Sequence, residues 1–218
     1  MTFSAFLDAL GADGPAADRA GKMDLYGGLI GSWDLDVTRF LDDGSKRQRP
    51  GEWHFGWILE GRAIQDVWIV PRRGELRRDD AAANAHSCGT TLRIYDPRIE
   101  AWRIQWIDPV TENFLSMIGR KQADDIVQSG TNAEGRPVRW SFSHITPDSF
   151  RWRGETACER DASGTANWRL DAEFFALRVG GCRSCRARRR HADVRIRCRT
   201  EHFGMPACAA RDGNVAHR

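Results

Sequence analysis

Between Gly31 and Leu177 the residues that shun water and those that seek it alternate with a period of two, segment after segment. In 50–60, Trp53, Phe55, Trp57 and Leu59 share one parity. In 99–107, Trp102, Ile104 and Trp106 oppose Arg103 and Gln105; in 136–145, Val138, Trp140 and Phe142 oppose Arg139, Ser141 and Ser143. In 149–157, Phe150 and Trp152 oppose Arg151, Arg153 and Glu155; in 165–176, Trp168, Leu170, Ala172 and Phe174 oppose Arg169, Asp171 and Glu173. Successive side chains of an extended strand point to opposite faces, so this pattern suits a sheet with one buried and one wet face. A helix would scatter the same residues around its whole circumference.

Ten strand candidates follow: 32–41, 50–60, 62–70, 88–96, 99–107, 112–120, 123–129, 136–145, 149–157 and 165–176. Turn-forming residues separate them, among them Asp42-Asp43-Gly44, Glu60-Gly61, Asp96-Pro97, Asp108-Pro109 and Pro147-Asp148. The longest break, Arg72 to His86, is charged and Ala-rich and is expected to be a mobile loop over one end of the fold. Helical spacing is confined to the start. Phe3, Phe6, Leu7 and Leu10 fit one helical face, and Met23, Leu25, Leu29 and Ile30 form a second short helix or a packed lead-in. With no large apolar element to cover ten strands, the sheet must close on itself or fold into a sandwich, and closure also removes exposed edges. The expectation is an all-β, antiparallel up-and-down barrel of about ten strands: a helical lead-in over 1–30, the barrel over 31–177, and a separate tail over 178–218.

Charge draws the same boundary. The net charge of +3 hides a tail, 178–218, with 11 Arg, no Lys and 3 acids, which leaves the body at −5. A basic isoelectric point is therefore no argument for nucleic-acid binding by the barrel. Of the six cysteines, only Cys88 and Cys158 lie in the body, where two isolated thiols suit a reducing compartment. The N-terminus lacks a basic region and Asp8 breaks its apolar run, so it reads poorly as a signal peptide, and a cytoplasmic location is expected. No run approaches the roughly 18 apolar residues of a membrane span.

The tail offers zinc-ligand residue types in Cys182, Cys185, His191, Cys198, His202 and Cys208, but nine residues separate Cys198 from Cys208, which matches no standard finger. Its Arg cluster at 186–190 would suit phosphate contacts. Against both stand the loss of hydrophobic period after Leu177 and the 30 Arg against 3 Lys of the whole chain, a sign of GC-rich coding sequence. Off-frame reading of such DNA yields Arg-, Ala-, Gly- and Cys-rich peptide. The tail is thus expected to be disordered, and a frameshift product is one explanation for it.

Gly31-Ser32-Trp33 opens the first strand directly after a helical segment, and 56–71 reads GWILEGRAIQDVWIVP. Over roughly residues 20–176 the chain resembles the lipocalin-like (calycin) families, and in the longer run small bacterial lipocalin-like proteins of unknown function. The resemblance implies a barrel plugged at one end by the Gly-x-Trp element. Haem-binding nitrobindin-type barrels are distantly similar in fold, but their repeated glycines after the first Trp are absent here.

The candidate ligand-binding residues are Trp33, Trp53, Trp57, Asp66, Trp68, Trp102, Trp106, Trp140 and His144. The tryptophans, with Trp152, make either a solid aromatic core or the wall of a ligand cavity. Asp66 faces inward if Ile64 and Trp68 do, and would then need a partner; with Ala63, Val67 and Ile69 inward instead, it is a surface residue. His144 shares parity with Trp140 and Phe142 and is either at the inner mouth or an ordinary rim residue. Arg39, in register with Trp33, Leu35 and Val37, either meets an inner carboxylate or sits at the rim. The function expected is intracellular binding of a small apolar or aromatic molecule. The alternatives are a barrel enzyme using Asp66 or His144 as acid or base, and an interaction module built on the basic tail. No nucleophile–base pair, paired inward carboxylates or metal triad stands out, and no cofactor is named by the sequence.

Overall fold

A computed structural model of the chain describes residues 3–75, 86–160 and 166–180. Two helices, α1 (Phe3–Leu10) and α2 (Ala20–Gly27), flank a two-residue strand β1 (Gly11–Ala12) and precede ten long strands. These are β2 (Gly31–Phe40), β3 (Lys46–Ile58), β4 (Ala63–Val70), β5 (Ser87–Asp96), β6 (Ala101–Asp108), β7 (Asn113–Gln122), β8 (Asp125–Thr131), β9 (Pro137–Ser143), β10 (Ser149–Arg160) and β11 (Ala166–Arg178). Each pairs antiparallel with the next, and β11 returns to β2, with Phe174 opposite Val37 and Ala176 opposite Leu35. The result is a closed, up-and-down, ten-stranded antiparallel barrel, as expected, and not the sandwich. β1 adds an eleventh strand alongside the end of β3. No helix among the described residues is long and apolar enough to cross a membrane. The tail from 181 and the loop residues 76–85 lie outside the described residues, and with them the expectations attached to the zinc-type residues, the Arg cluster and loop mobility.

The inward residues are those expected in most strands. Trp53 and Phe55, Trp102, Ile104 and Trp106, Val138 and Phe142, Phe150 and Trp152, and Phe174 and Ala176 are buried together. One end of the barrel is sealed by α2, which buries Met23 and Tyr26, and by Leu29 just beyond it. Trp33 then donates its indole N–H to the Leu29 carbonyl at 2.7 Å, so the Gly-x-Trp element ties the plug to the first strand. Glycines make room for rings at both ends of the lumen, Gly119 for Tyr26 of the plug and Gly89 for Trp106. A Cβ at Gly119 would lie 2.4 Å from the Tyr26 hydroxyl, and one at Gly89 would lie 2.3 Å from the Trp106 ring.

The helix expected over 3–10 forms as α1; Phe6 and Leu7 are 55% and 46% exposed, and at its C-terminal end Leu59 N–H bonds to the Leu10 carbonyl. Two expectations are corrected. Leu59 does not continue the inner face of β3, because Leu59 and Glu60 both take left-handed backbone in the turn to β4 and the alternation ends at Ile58. In β11 the parity inverts. Gly154 pairs with Ala172 but Glu155 pairs with Leu170, which leaves Asp171 as the extra residue of a bulge. Leu170 and Trp168 therefore leave the lumen side, and Trp168 lies under the outward Arg139 guanidinium, 4.3 Å from its centre.

Candidate functional site

The half of the lumen away from α2 is hollow. A cavity of about 570 Å³ lies there, inside the range of about 300–1,000 Å³ usual for small-molecule sites. Trp53, Trp68, Trp106, Trp140, Trp152 and Phe174 wall it, and Arg39, Asp108, Glu112, Glu134 and Asp171 surround its mouth. Five of the rings touch in a closed circuit. Trp68 meets Trp106 at 5.9 Å between centroids, Trp106 meets Trp140 at 5.8 Å, Trp140 meets Trp152 at 5.3 Å, Trp152 stacks on Phe174 at 4.2 Å, and Phe174 returns to Trp68 at 5.4 Å. The circuit exists because five different strands place an inward aromatic residue at a similar height.

The polar atoms of this region are unevenly served. The indole nitrogens of Trp53, Trp68 and Trp152 and the Thr91 hydroxyl are buried and have no hydrogen-bond partner among the described residues. An unmet buried donor is unfavourable, so an acceptor placed among these rings would recover that loss. Two of the four carboxylates at the mouth are engaged. Asp108 accepts from the backbone N–H of Val110 at 2.9 Å and of Thr111 at 3.2 Å, and from the Ser87 hydroxyl. Asp171 accepts from the Thr156 hydroxyl at 2.5 Å and from Arg169 at 2.9 Å.

A polar layer is buried beside the packed half. Asp66 is 1% exposed and faces inward with Ile64 and Trp68, so of its two possible parities the inward one holds. Its partner is Arg93, itself 0% exposed, whose guanidinium bonds directly to the Asp66 carboxylate. Asp66 also accepts from the Thr91 backbone N–H at 3.1 Å. The rings of Tyr26, Phe55 and Phe142 lie 5.2, 5.4 and 5.9 Å from the Arg93 guanidinium centre. The Tyr26 hydroxyl donates to Gln128 at 3.3 Å. Burial pushes the Tyr26 phenol well above its usual pKa, with the positive charge of Arg93 opposing the rise. This phenol is a neutral donor at any ordinary pH.

The sequence-selected residues therefore divide. Trp53, Trp68, Trp106 and Trp140 line the cavity. Trp33 and Trp102 belong to the packed end, the latter edge-on to Tyr26 at 4.9 Å, and the ring of Trp57 lies against Gly27 of α2. Asp66 is held in its ion pair. His144 is not at the inner mouth: β9 ends at Ser143, and His144 is exposed with φ of 52°. That left-handed residue breaks the alternation that placed it beside Phe142. Arg93 was missed, and for a physical reason: in β5 Leu92 and Ile94 point outward while Arg93 points in, the reverse of the face that hydropathy assigns. The signal that could have found it is the inward Asp66 itself, which requires a cation nearby.

On the outer face His54 links Ser32 and Glu52, with Nδ1 2.9 Å from the Ser32 hydroxyl and Nε2 3.0 Å from the Glu52 carboxylate. Arg73 grips the same carboxylate through Nε at 2.7 Å and Nη2 at 3.0 Å, and holds the Glu52 pKa down to about 2. These groups point away from the lumen, as the parity of His54 against Trp53 implies.

No family model and no curated protein matches the chain. Among solved structures it is similar to an S-type phycobiliprotein lyase from Guillardia theta, at 8% identity and a TM-score of 0.45, over 72% of this chain and 91% of that one. It is also similar to a redesigned β-barrel, at 13% identity and a TM-score of 0.34 over 71% of this chain and 95% of that one. A third is EF1p2_mFAP2b bound to DFHBI, at 13% identity and a TM-score of 0.32 over 72% of this chain and 99% of that one.

Proposed function

We propose that the open half of the barrel binds a small aromatic molecule that carries hydrogen-bond acceptors. The reading rests on one observation: a cavity of about 570 Å³ walled by a closed circuit of aromatic rings, with three tryptophans around it whose buried indole N–H groups lack acceptors among the described residues. Flat rings offer a flat ligand large contact area at little entropic cost, and acceptors on the ligand would use the free donors. A use of Asp66 as acid or base gains no support, because its carboxylate is committed to Arg93 and Thr91 and does not line the cavity.

Calorimetric titration with 2-naphthalenemethanol, a neutral two-ring alcohol, tests this. Saturable one-to-one binding is expected in the wild type. It should be lost in Ala172→Trp, since Ala172 lines the cavity and a ring there would fill it. Absence of binding by the wild type, or undiminished binding by a folded Ala172→Trp variant, would overturn the reading.

A further inference from the structure

We infer that the ligand is an aromatic carboxylate, seated with its ring among the tryptophans and its anionic end toward Arg39 at the mouth of the barrel. This deepens the reading above and rests on it. Arg39 shares the inward face of β2 with Trp33, Leu35 and Val37, and reaches the cavity wall in a half-buried position. Its guanidinium lies over the Trp68 ring, 5.6 Å from the centroid, so the cation already borders the aromatic circuit. Yet among the described residues it makes no salt bridge, although most inward or half-buried guanidiniums here have a carboxylate: Arg72 has Asp34, Arg93 has Asp66, Arg139 has Glu155 and Arg151 has Glu173.

The neighbours sharpen the case. Across the β2–β3 ladder Arg39 is opposite Arg47, and Val37 is opposite Arg49, so the three arginines share one face of this ribbon. Burial and the nearby Arg47 both disfavour the charge on Arg39, and Asp108 favours it. Asp108 is held by two backbone N–H groups and Ser87 and forms no salt bridge with Arg39 among the described residues, so it acts on Arg39 through its field. A ligand carboxylate would provide the missing partner in the two-pronged geometry that guanidinium favours. Glu112 and Glu134 are exposed on the rim, where water and salt weaken their repulsion. A cationic ligand fits poorly, because the site already holds a cation over its rings and its unmet groups are donors.

The test compares 2-naphthoate with 2-naphthalenemethanol, which differ in the anionic group, by calorimetry at neutral pH. The wild type is expected to bind the carboxylate about tenfold or more tightly than the alcohol, the scale of one charge-assisted contact. Arg39→Met, which removes the charge, should erase that preference, read as the ratio of the two affinities within the variant, and Arg39→Lys should keep part of it. A urea-unfolding midpoint of Arg39→Met equal to that of the wild type shows that the barrel is intact. Equal binding of both probes by the wild type, or a preference that survives in Arg39→Met, overturns the inference and leaves the aromatic-ligand reading standing. Failure of both probes to bind the wild type overturns the two together.

Discussion

The two halves of this barrel are built from the same strands and the same residue types, yet one is packed and the other hollow. At the sealed end Met23, Tyr26 and Leu29 enter from outside the sheet, fill the lumen and supply the carbonyl that Trp33 needs. At the open end nothing among the described residues plays that part, and Trp53, Trp68 and Trp152 keep unpartnered indole donors around a cavity. A ring of ten strands does not fill itself; the plug decides which half becomes core. Arg93 and Asp66 mark the transition, a charged pair that the packed half tolerates because guanidinium and carboxylate bond directly to each other.

Arg93→Met offers the severest challenge to this contrast. It would strand a buried carboxylate and is expected to cost about 3–5 kcal/mol in urea unfolding, with much of that recovered by the double change Asp66→Leu, Arg93→Met. A single variant within 1 kcal/mol of wild type on the order expected of a surface site would deny the pair its structural role.

Next in size is Gly119→Ala, whose new methyl would collide with Tyr26 and Ile104 in the packed half. A loss of about 1–3 kcal/mol is expected, typical of overpacking. A glycine in open space, such as Gly21, should accept the same change with far less effect.

A subtler pair uses the indole nitrogens. Trp33→Phe loses a bonded donor and should destabilise by about 1 kcal/mol beyond any packing loss, whereas Trp152→Phe removes a donor that has no partner and should be milder. Equal effects would mean that the two halves treat their tryptophans alike.

The smallest effect belongs to the outer face, which both halves share. Glu52 titrates in the folded chain near 2, below its usual 4.5, because Arg73 holds it. Its contribution is therefore complete above the unfolded value and fades as pH falls from about 4.5 towards 2. Glu52→Gln should flatten that part of the stability profile, and an unchanged slope would show that the Arg73 contact carries no folding energy.

Much of this fold is legible in the residues because the period-two pattern carries its own evidence: wherever aromatic and charged residues alternate, a strand is found. Legibility fails where one residue breaks the period. The bulge at Asp171 turns Trp168 outward, the left-handed His144 leaves the lumen, and Leu92 and Ile94 cede the inner face to Arg93. Strand β3 also begins earlier than its aromatic stretch, at Lys46, because a ribbon rising past the barrel mouth has no apolar core to face.

By itself the sequence determined that the chain forms an antiparallel barrel with an aromatic interior, since alternation of side chains is a local property that each strand states independently. Which tryptophans pack and which border a cavity, and which cation meets Asp66, was decided only by the tertiary structure. Those outcomes depend on strand register around a closed ring and on how deep α2 enters it, and no single segment encodes either.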